Sequence, residues 1–348
     1  MPSDVFLRRL EHFRVEHVRG QFIAGHLDWV LLNLLLHGDA MTSAPVDLMT
    51  LVEQLGTDDK CREALMHLRW PKGVKCPRCG HDKVTPVNER KVYDCNSCHY
   101  QFSATVGTMF HDSHLPLTKW FFITYLLTES KKGISASQVY RMLGKKSYKT
   151  AWYLCHRIRA AMASAMEDRP KLGGTVEVDE TFVGGKQRGH QHKVGHPECN
   201  KEVVIGIRQR DGALRFFHAE DVKSGTLAKY IKENIAHDVD VIMTDEFGGY
   251  PSAIAKAGVL CEHKTIKHKD GIYAIGDIYT NSIESGFSLL KRGIIGTWHK
   301  ISAKHLQAYL DEMCFRFDNR KNPYLFRDTL LKMLEAEHIE YKQLTKVA

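Results

Sequence analysis

No apolar run in this sequence reaches the ~18 residues that a membrane-crossing helix needs. The longest, Trp29–Leu36 and Trp120–Leu127, stop at eight residues, and Asn33 interrupts the first. A cleaved leader is not expected either, because Trp29–Leu36 lies far in, behind a charged stretch with Arg8, Arg9, Glu11, Arg14 and Glu16. Proline is scarce (10 of 348 residues), and no repeat or low-complexity segment is present. Collagen-like and largely disordered chains are thereby excluded. Nine cysteines are an odd number for a disulfide scaffold. What remains is a chain long enough for about two cored domains, and it reads as cytoplasmic.

Acidic residues are also missing from one place. Residues 61–165 hold 17 Lys and Arg against 6 Asp and Glu, whereas residues 1–60 are acidic on balance and residues 166–348 nearly neutral. The formal excess of +8 is therefore concentrated in about a hundred residues. A basic field localised in this way is the footprint of a polyanion binder, although a solvated face has the same composition.

Four of the cysteines are spaced C-x2-C-x15-C-x2-C: Cys76, Cys79, Cys95 and Cys98. Two tight turns that each present two thiolates close a tetrahedral Zn²⁺ site with no open position, so the ion is structural. The other five cysteines read as buried thiols. Downstream, Lys131–Ser135 leads into a helical pattern at Ser137–Leu143, and after Gly144 Ser147 stands as the cap of a second, the layout of a helix-turn-helix. Lys149, Arg157 and Arg159 on the second helix are candidate DNA contacts; a plain helical hairpin fits the same pattern.

The texture changes after Pro170 and Gly173-Gly174. Strands are expected at Thr175–Val183, Lys201–Arg210 and Ala213–Asp221, then a helix, a strand ending at Thr244-Asp245, a short helix, a strand near Glu262–Ile266, and helices from Asn281 onward. This order is that of a ribonuclease-H-like domain, in which the first and fourth strands are neighbours. Asp179 and Asp245 would then meet, and the last helix could bring Glu284 to them. By strand parity, Glu177 shares the face of Asp179 and Glu180 does not. Carboxylates so placed repel unless cations sit between them. Mg²⁺ takes such oxygen ligands, and two ions about 4 Å apart suit in-line phosphoryl displacement.

The motifs VDETFVGGK, TDEFGGY and TNSIESGFSLLKRGIIGTWHKIS, with ALMHLRWPKGVKCPRCG before them and YLDEMCFRFDNR after, resemble the DDE-type bacterial insertion-sequence transposases that carry an N-terminal zinc ribbon, the ISXO-like group. The resemblance spans Leu48–Arg320. It implies an α/β ribonuclease-H-like catalytic core that cuts and joins DNA with two Mg²⁺ or Mn²⁺ ions, using Asp179, Asp245 and a third ligand. Glu284 is favoured for that ligand, and Asn281, one turn earlier, is the alternative. Lys291, two turns beyond Glu284, and Arg292 would face the DNA backbone. The expected partners are transposon-end and target DNA and at least one further copy of the chain. A DNA-binding protein without catalysis and a structure-selective nuclease are the rival functions.

The expected division is an extension at 1–45, with translation starting at Met41 or Met49 or the extension being dispensable; a helical lead-in at 46–72; the zinc ribbon at 73–105; a helix-turn-helix-like module at 106–168; the ribonuclease-H-like domain at 174–320; and a helical tail at 321–348. The segment Arg188–Cys199, with three histidines and a cysteine, reads as a basic loop beside the active site rather than a metal site.

Overall fold

The computed structural model describes residues 45–144, 147–167, 169–184, 201–266 and 280–346. Expectations for the N-terminal extension and for Arg188–Cys199 lie outside these residues. Two helices come first, α1 (Leu48–Leu55) and α2 (Asp58–Arg69), capped by the Asp47 carboxylate and the Thr57 hydroxyl. A three-stranded antiparallel ribbon follows, β1 (Val84–Val87), β2 (Val92–Cys95) and β3 (Gln101–Phe102). Then come α3 (Leu117–Glu129), α4 (Ala136–Met142) and α5 (Tyr148–Ser164).

The second half is built on a five-stranded sheet. Its strands are β4 (Thr175–Val183), β5 (Glu202–Gln209), β6 (Leu214–Ala219), β7 (Val241–Thr244) and β8 (Glu262–Thr265). They are ordered β6-β5-β4-β7-β8; the first three form an antiparallel meander, and β7 and β8 run parallel to β4. The β5–β6 turn at Asp211-Gly212 is tight, with Asp211 at φ 54°.

Side-chain alternation divides the core in two. Val176, Val178, Val203, Ile205 and Ile207 pack on α6 (Ser224–Asn234) and α7 (Gly249–Ala257). Val204, Leu214 and Phe216 pack on α8 (Asn281–Gly293) and α9 (Ala303–Asp318). A π-helical segment, Ile294–Trp298, links those two helices, and α10 (Leu325–Glu335) and α11 (Tyr341–Thr345) close the chain. A mixed sheet in this order, with helices on both faces, is the ribonuclease-H-like arrangement.

The helical module needs a correction. Its hairpin is present: the Ser135 and Ser147 hydroxyls accept from Gln138 N and Thr150 N, and Gly144 turns at φ +79°. Beyond its first turns, however, α5 is a core helix packed on α9 and α10. Arg159 is fully buried and donates to Glu312 of α9 at 2.6 Å. Arg157 is buried too, donating to the His111 carbonyl at 2.7 Å while its guanidinium lies over the Trp120 and Tyr153 rings. Neither arginine presents a charge to DNA, contrary to the expectation from sequence. Lys149, in the first exposed turn, lies 4.0 Å over the ring of Tyr341.

Glu312 carries two guanidiniums, because Arg316 approaches it at 3.2 Å while also donating to the carbonyls of Ser130 and Lys131 in the α3–α4 turn. A Cβ on Gly133, at φ +72° in that turn, would lie 2.3 Å from Glu312 Oε1. Glu312→Ala leaves two buried cations uncompensated and should cost about 3–5 kcal/mol in urea unfolding. A loss below about 1 kcal/mol, the scale of an exposed pair, would show that the cluster is not worth its burial.

Candidate active site and zinc centre

In the ribbon, Cys76 Sγ lies 3.7 Å from Cys98 Sγ, and Cys79 Sγ lies 3.5 Å from Cys95 Sγ. All four sulfurs fall within 4.8 Å of one another. Zn–S bonds of about 2.3 Å at tetrahedral angles require sulfurs about 3.8 Å apart, so the donor set fits zinc. Each pair sits on the same kind of turn. Gly80 N donates to Cys76 O and His99 N to Cys95 O, both at 2.9 Å, with Gly80 and His99 at φ +74° and +53°. The amides of Cys98 and Ser97 hold the Cys95 thiol down at about 6, while burial and the neighbouring sulfurs push Cys79 and Cys98 up, the split expected of crowded thiols. Around it, Trp70, Tyr93 and Phe102 form an aromatic cluster.

The acidic constellation forms where β7 ends. The β4–β7 ladder stops at Glu177↔Met243, and in the same register Asp179 lies level with Asp245. Asp245 opens a turn in which its Oδ1 accepts from Phe247 N at 3.0 Å. The carboxylates of Asp179, Glu180 and Asp245 come within 4.8 Å of one another, all half-buried. Glu180 therefore joins the cluster despite its parity. Past the end of β7 the edge of β4 is open, and its side chain, pointing to the α7 face, is held by the Tyr250 hydroxyl at 2.5 Å. The adjacent acid pair Asp179-Glu180 was the sequence signal for it.

Glu284 is exposed in the first turn of α8. It is outside the three-carboxylate group, but its charge, with those of Glu180 and Asp245, acts on Asp179. Burial, followed by those charges, pushes the Asp179 carboxyl up to about 8. Carboxylates brought together in this way are chemically suited to a hard divalent cation. Asn281 is the exposed first residue of α8, and Lys291 and Arg292 are exposed in its last turn.

Two residues outside the expected ligand set bring α8 to this edge. Gly206 pairs with Asp179 in the sheet, and a Cβ there would meet Phe287 Cζ at 2.6 Å and Ile283 Cδ1 at 2.8 Å. The helix therefore rests directly on the strand backbone; an isolated glycine in the apolar run VVIGI was the signal. Glu177, fully buried, bonds Arg210 Nε at 3.2 Å and accepts from Ile283 N at 2.9 Å.

With this geometry in place, residues 171–318 match the ISXO2-like transposase domain, and residues 56–101 match the transposase zinc-ribbon domain. The chain is similar to an uncharacterized protein in transposable element ISH50 of Halobacterium salinarum. The two are 24% identical over 290 residues, 79% of this chain and 96% of that protein. Among solved structures, a pre-cleavage Mos1 transpososome aligns at 13% identity over 61% of this chain and 75% of that one, with a TM-score of 0.25. The Mos1 strand transfer complex aligns at 12% over 62% and 75%, with a TM-score of 0.27.

Proposed function

We infer, from a chain that joins a transposase zinc ribbon to an ISXO2-like transposase domain, that it is the DNA transposase of an insertion sequence, cutting DNA at the element's ends and joining those ends to new DNA. One observation carries the chemistry: Asp179, Glu180 and Asp245 converge at the edge of β4 left open where β7 ends. These half-buried carboxylates are the cation-holding groups, with Glu284 one turn into α8 as a further ligand and Asn281 as a neutral one. Bound there, Mg²⁺ or Mn²⁺ supplies charge compensation and activation of the attacking oxygen. Water attacks the phosphodiester at the element's end, leaving a 3′-OH and a 5′-phosphate, and that hydroxyl then attacks a target phosphodiester and displaces a 3′-OH of the target strand.

The chain's own groups orient the DNA. Lys291 and Arg292 offer exposed cations on α8, two turns from Glu284, for backbone phosphates near the cut. Lys149 offers another at the start of α5. The zinc ribbon, with Lys72, Lys75 and Arg78 around its first cysteine pair, supplies a basic surface for end recognition. Because two ends must be held together, the reaction takes at least two copies of the chain.

The test uses the full chain with DNA taken from both sides of its own gene. In Mg²⁺ or Mn²⁺, nicks exposing a 3′-OH at the ends and joined products in a target plasmid are expected. Cutting of branched DNA without joining would leave a structure-selective nuclease. Binding with no metal-dependent cutting would leave a DNA-binding protein that lacks catalysis.

A further inference from the structure

The first turn of α8 is capped from another element. Thr280 precedes the helix, but its side chain makes no capping bond to the first-turn amides; its hydroxyl faces Glu284 Oε1 at 3.5 Å. The amide that an N-cap side chain would normally satisfy, that of Ile283 at the third helical position, donates to Glu177 Oε2 on β4. Donor and acceptor are 106 residues apart in sequence. The capped amide immediately precedes Glu284, and the capping carboxylate stands two residues before Asp179. The same turn is fastened from β5, where Arg208 donates to the Ser282 carbonyl and to Ser285 Oγ. Gly206, beside Asp179, sets how close the helix comes.

We propose that Glu177 is a positioning residue, a tertiary cap that locks the first turn of α8 to β4 and thereby fixes Glu284 relative to the Asp179 carboxylate. This rests on the transposase reading only in taking those carboxylates as cation ligands. Gly206 sets the approach of the helix to the sheet, whereas Glu177 sets its position along the strand and its rotation. Arg210, at 3.2 Å on the other Glu177 oxygen, holds the carboxylate in that orientation and compensates its charge. A buried ion pair that only stabilised the sheet would have no need of a bond to the α8 amide.

The experiment compares Glu177→Ala, Glu177→Gln and Gly206→Ala with the unaltered full chain. Mn²⁺ binding is measured from the free-ion paramagnetic resonance signal, alongside the Mn²⁺ dependence of end cleavage, DNA affinity and thermal melting. Glu177→Ala should weaken Mn²⁺ binding about 10-fold or more, the scale of lost outer-shell support at metal sites, with DNA affinity unchanged. Glu177→Gln keeps an acceptor for the Ile283 amide and should recover most of that loss. Gly206→Ala should weaken binding by displacing the helix without removing a polar group. Unaltered Mn²⁺ binding in Glu177→Ala overturns the proposal. So does a Glu177→Gln protein that melts normally yet binds Mn²⁺ as poorly as the alanine variant, or an unaltered chain that binds no Mn²⁺. Mn²⁺ binding that follows the expected order without any DNA cleavage would instead fail the transposase reading and leave the cap standing.

Discussion

Asp179→Asn and Asp245→Asn each lower end cleavage and strand joining by at least about 10³-fold in Mg²⁺, because an amide neither neutralises nor orients a hard cation, and charge stabilisation at the reacting phosphate is lost with it. The size of the effect follows from where the two acids sit. They face each other at the end of a parallel strand pair, with Asp179 under enough repulsion and burial to hold its carboxyl at about 8. Asparagine relieves that repulsion, so folding and DNA affinity should be kept. Affinity can even rise, as each variant removes a carboxylate from the path of the phosphates. Gel assays of labelled end DNA measure cleavage, and anisotropy measures binding. Full cleavage by the Asp179→Asn protein would end the metal reading. The same assays rank the remaining ligands: Glu180→Gln against Glu284→Gln separates the carboxylate that the strand brings from the one that the helix brings. A larger loss in Asn281→Ala than in Glu284→Gln would hand the helix position to the amide.

The second large effect is expected from zinc removal. The ribbon's core cluster has three buried side chains, Cys76, Cys95 and Phe102, and two of them are metal ligands. Without the ion, the strands keep one phenylalanine and a rim of half-buried aromatics, too little to offset the entropy of ordering the ribbon. Binding energy at such a site is folding energy, on the order of 10 kcal/mol at neutral pH. Purified protein should hold one zinc per chain. A strong chelator or Cys95→Ser should expose the remaining thiols to alkylation, erase the ribbon's protection from proteolysis and abolish end recognition. The sheet domain, with its separate cores on both faces, should melt as before. Protein that contains no zinc and has freely alkylated cysteines would refute this.

Much of this could be read from local sequence, for identifiable reasons. The strand Thr175–Val183 and the cysteine quartet are set by near-neighbour patterns, alternation in one case and thiol spacing in the other, and both stand at the expected residues. The placement of Asp179 against Asp245 followed from strand order alone. The misreadings are all long-range. Arg159 looks like a donor for DNA until Glu312, 153 residues on, is found beside it. Glu180 lies on the face opposite Asp179, as parity has it, yet its carboxylate still reaches the cluster, because β7 ends before it and leaves that edge of β4 open. Glu177 shares a face with Asp179 as expected, but its task depends on a helix whose start is fixed only in three dimensions.

The cluster of Arg159, Glu312 and Arg316 also decides which parts of this chain are portable. It couples α5 to α9 and ties both to the α3–α4 turn, so the helical hairpin shares its interior with the segment after the sheet. A chimera that exchanged everything before the sheet for a relative's sequence would sever those charges from one another and inherit mismatched halves of a single core. The ribbon is joined differently, through Arg69 to the carbonyls of Ala104 and Val106 and through its own aromatics. Exchange of end specificity between related elements therefore has its natural seam around residues 70 and 104, with the helices inherited along with the catalytic half.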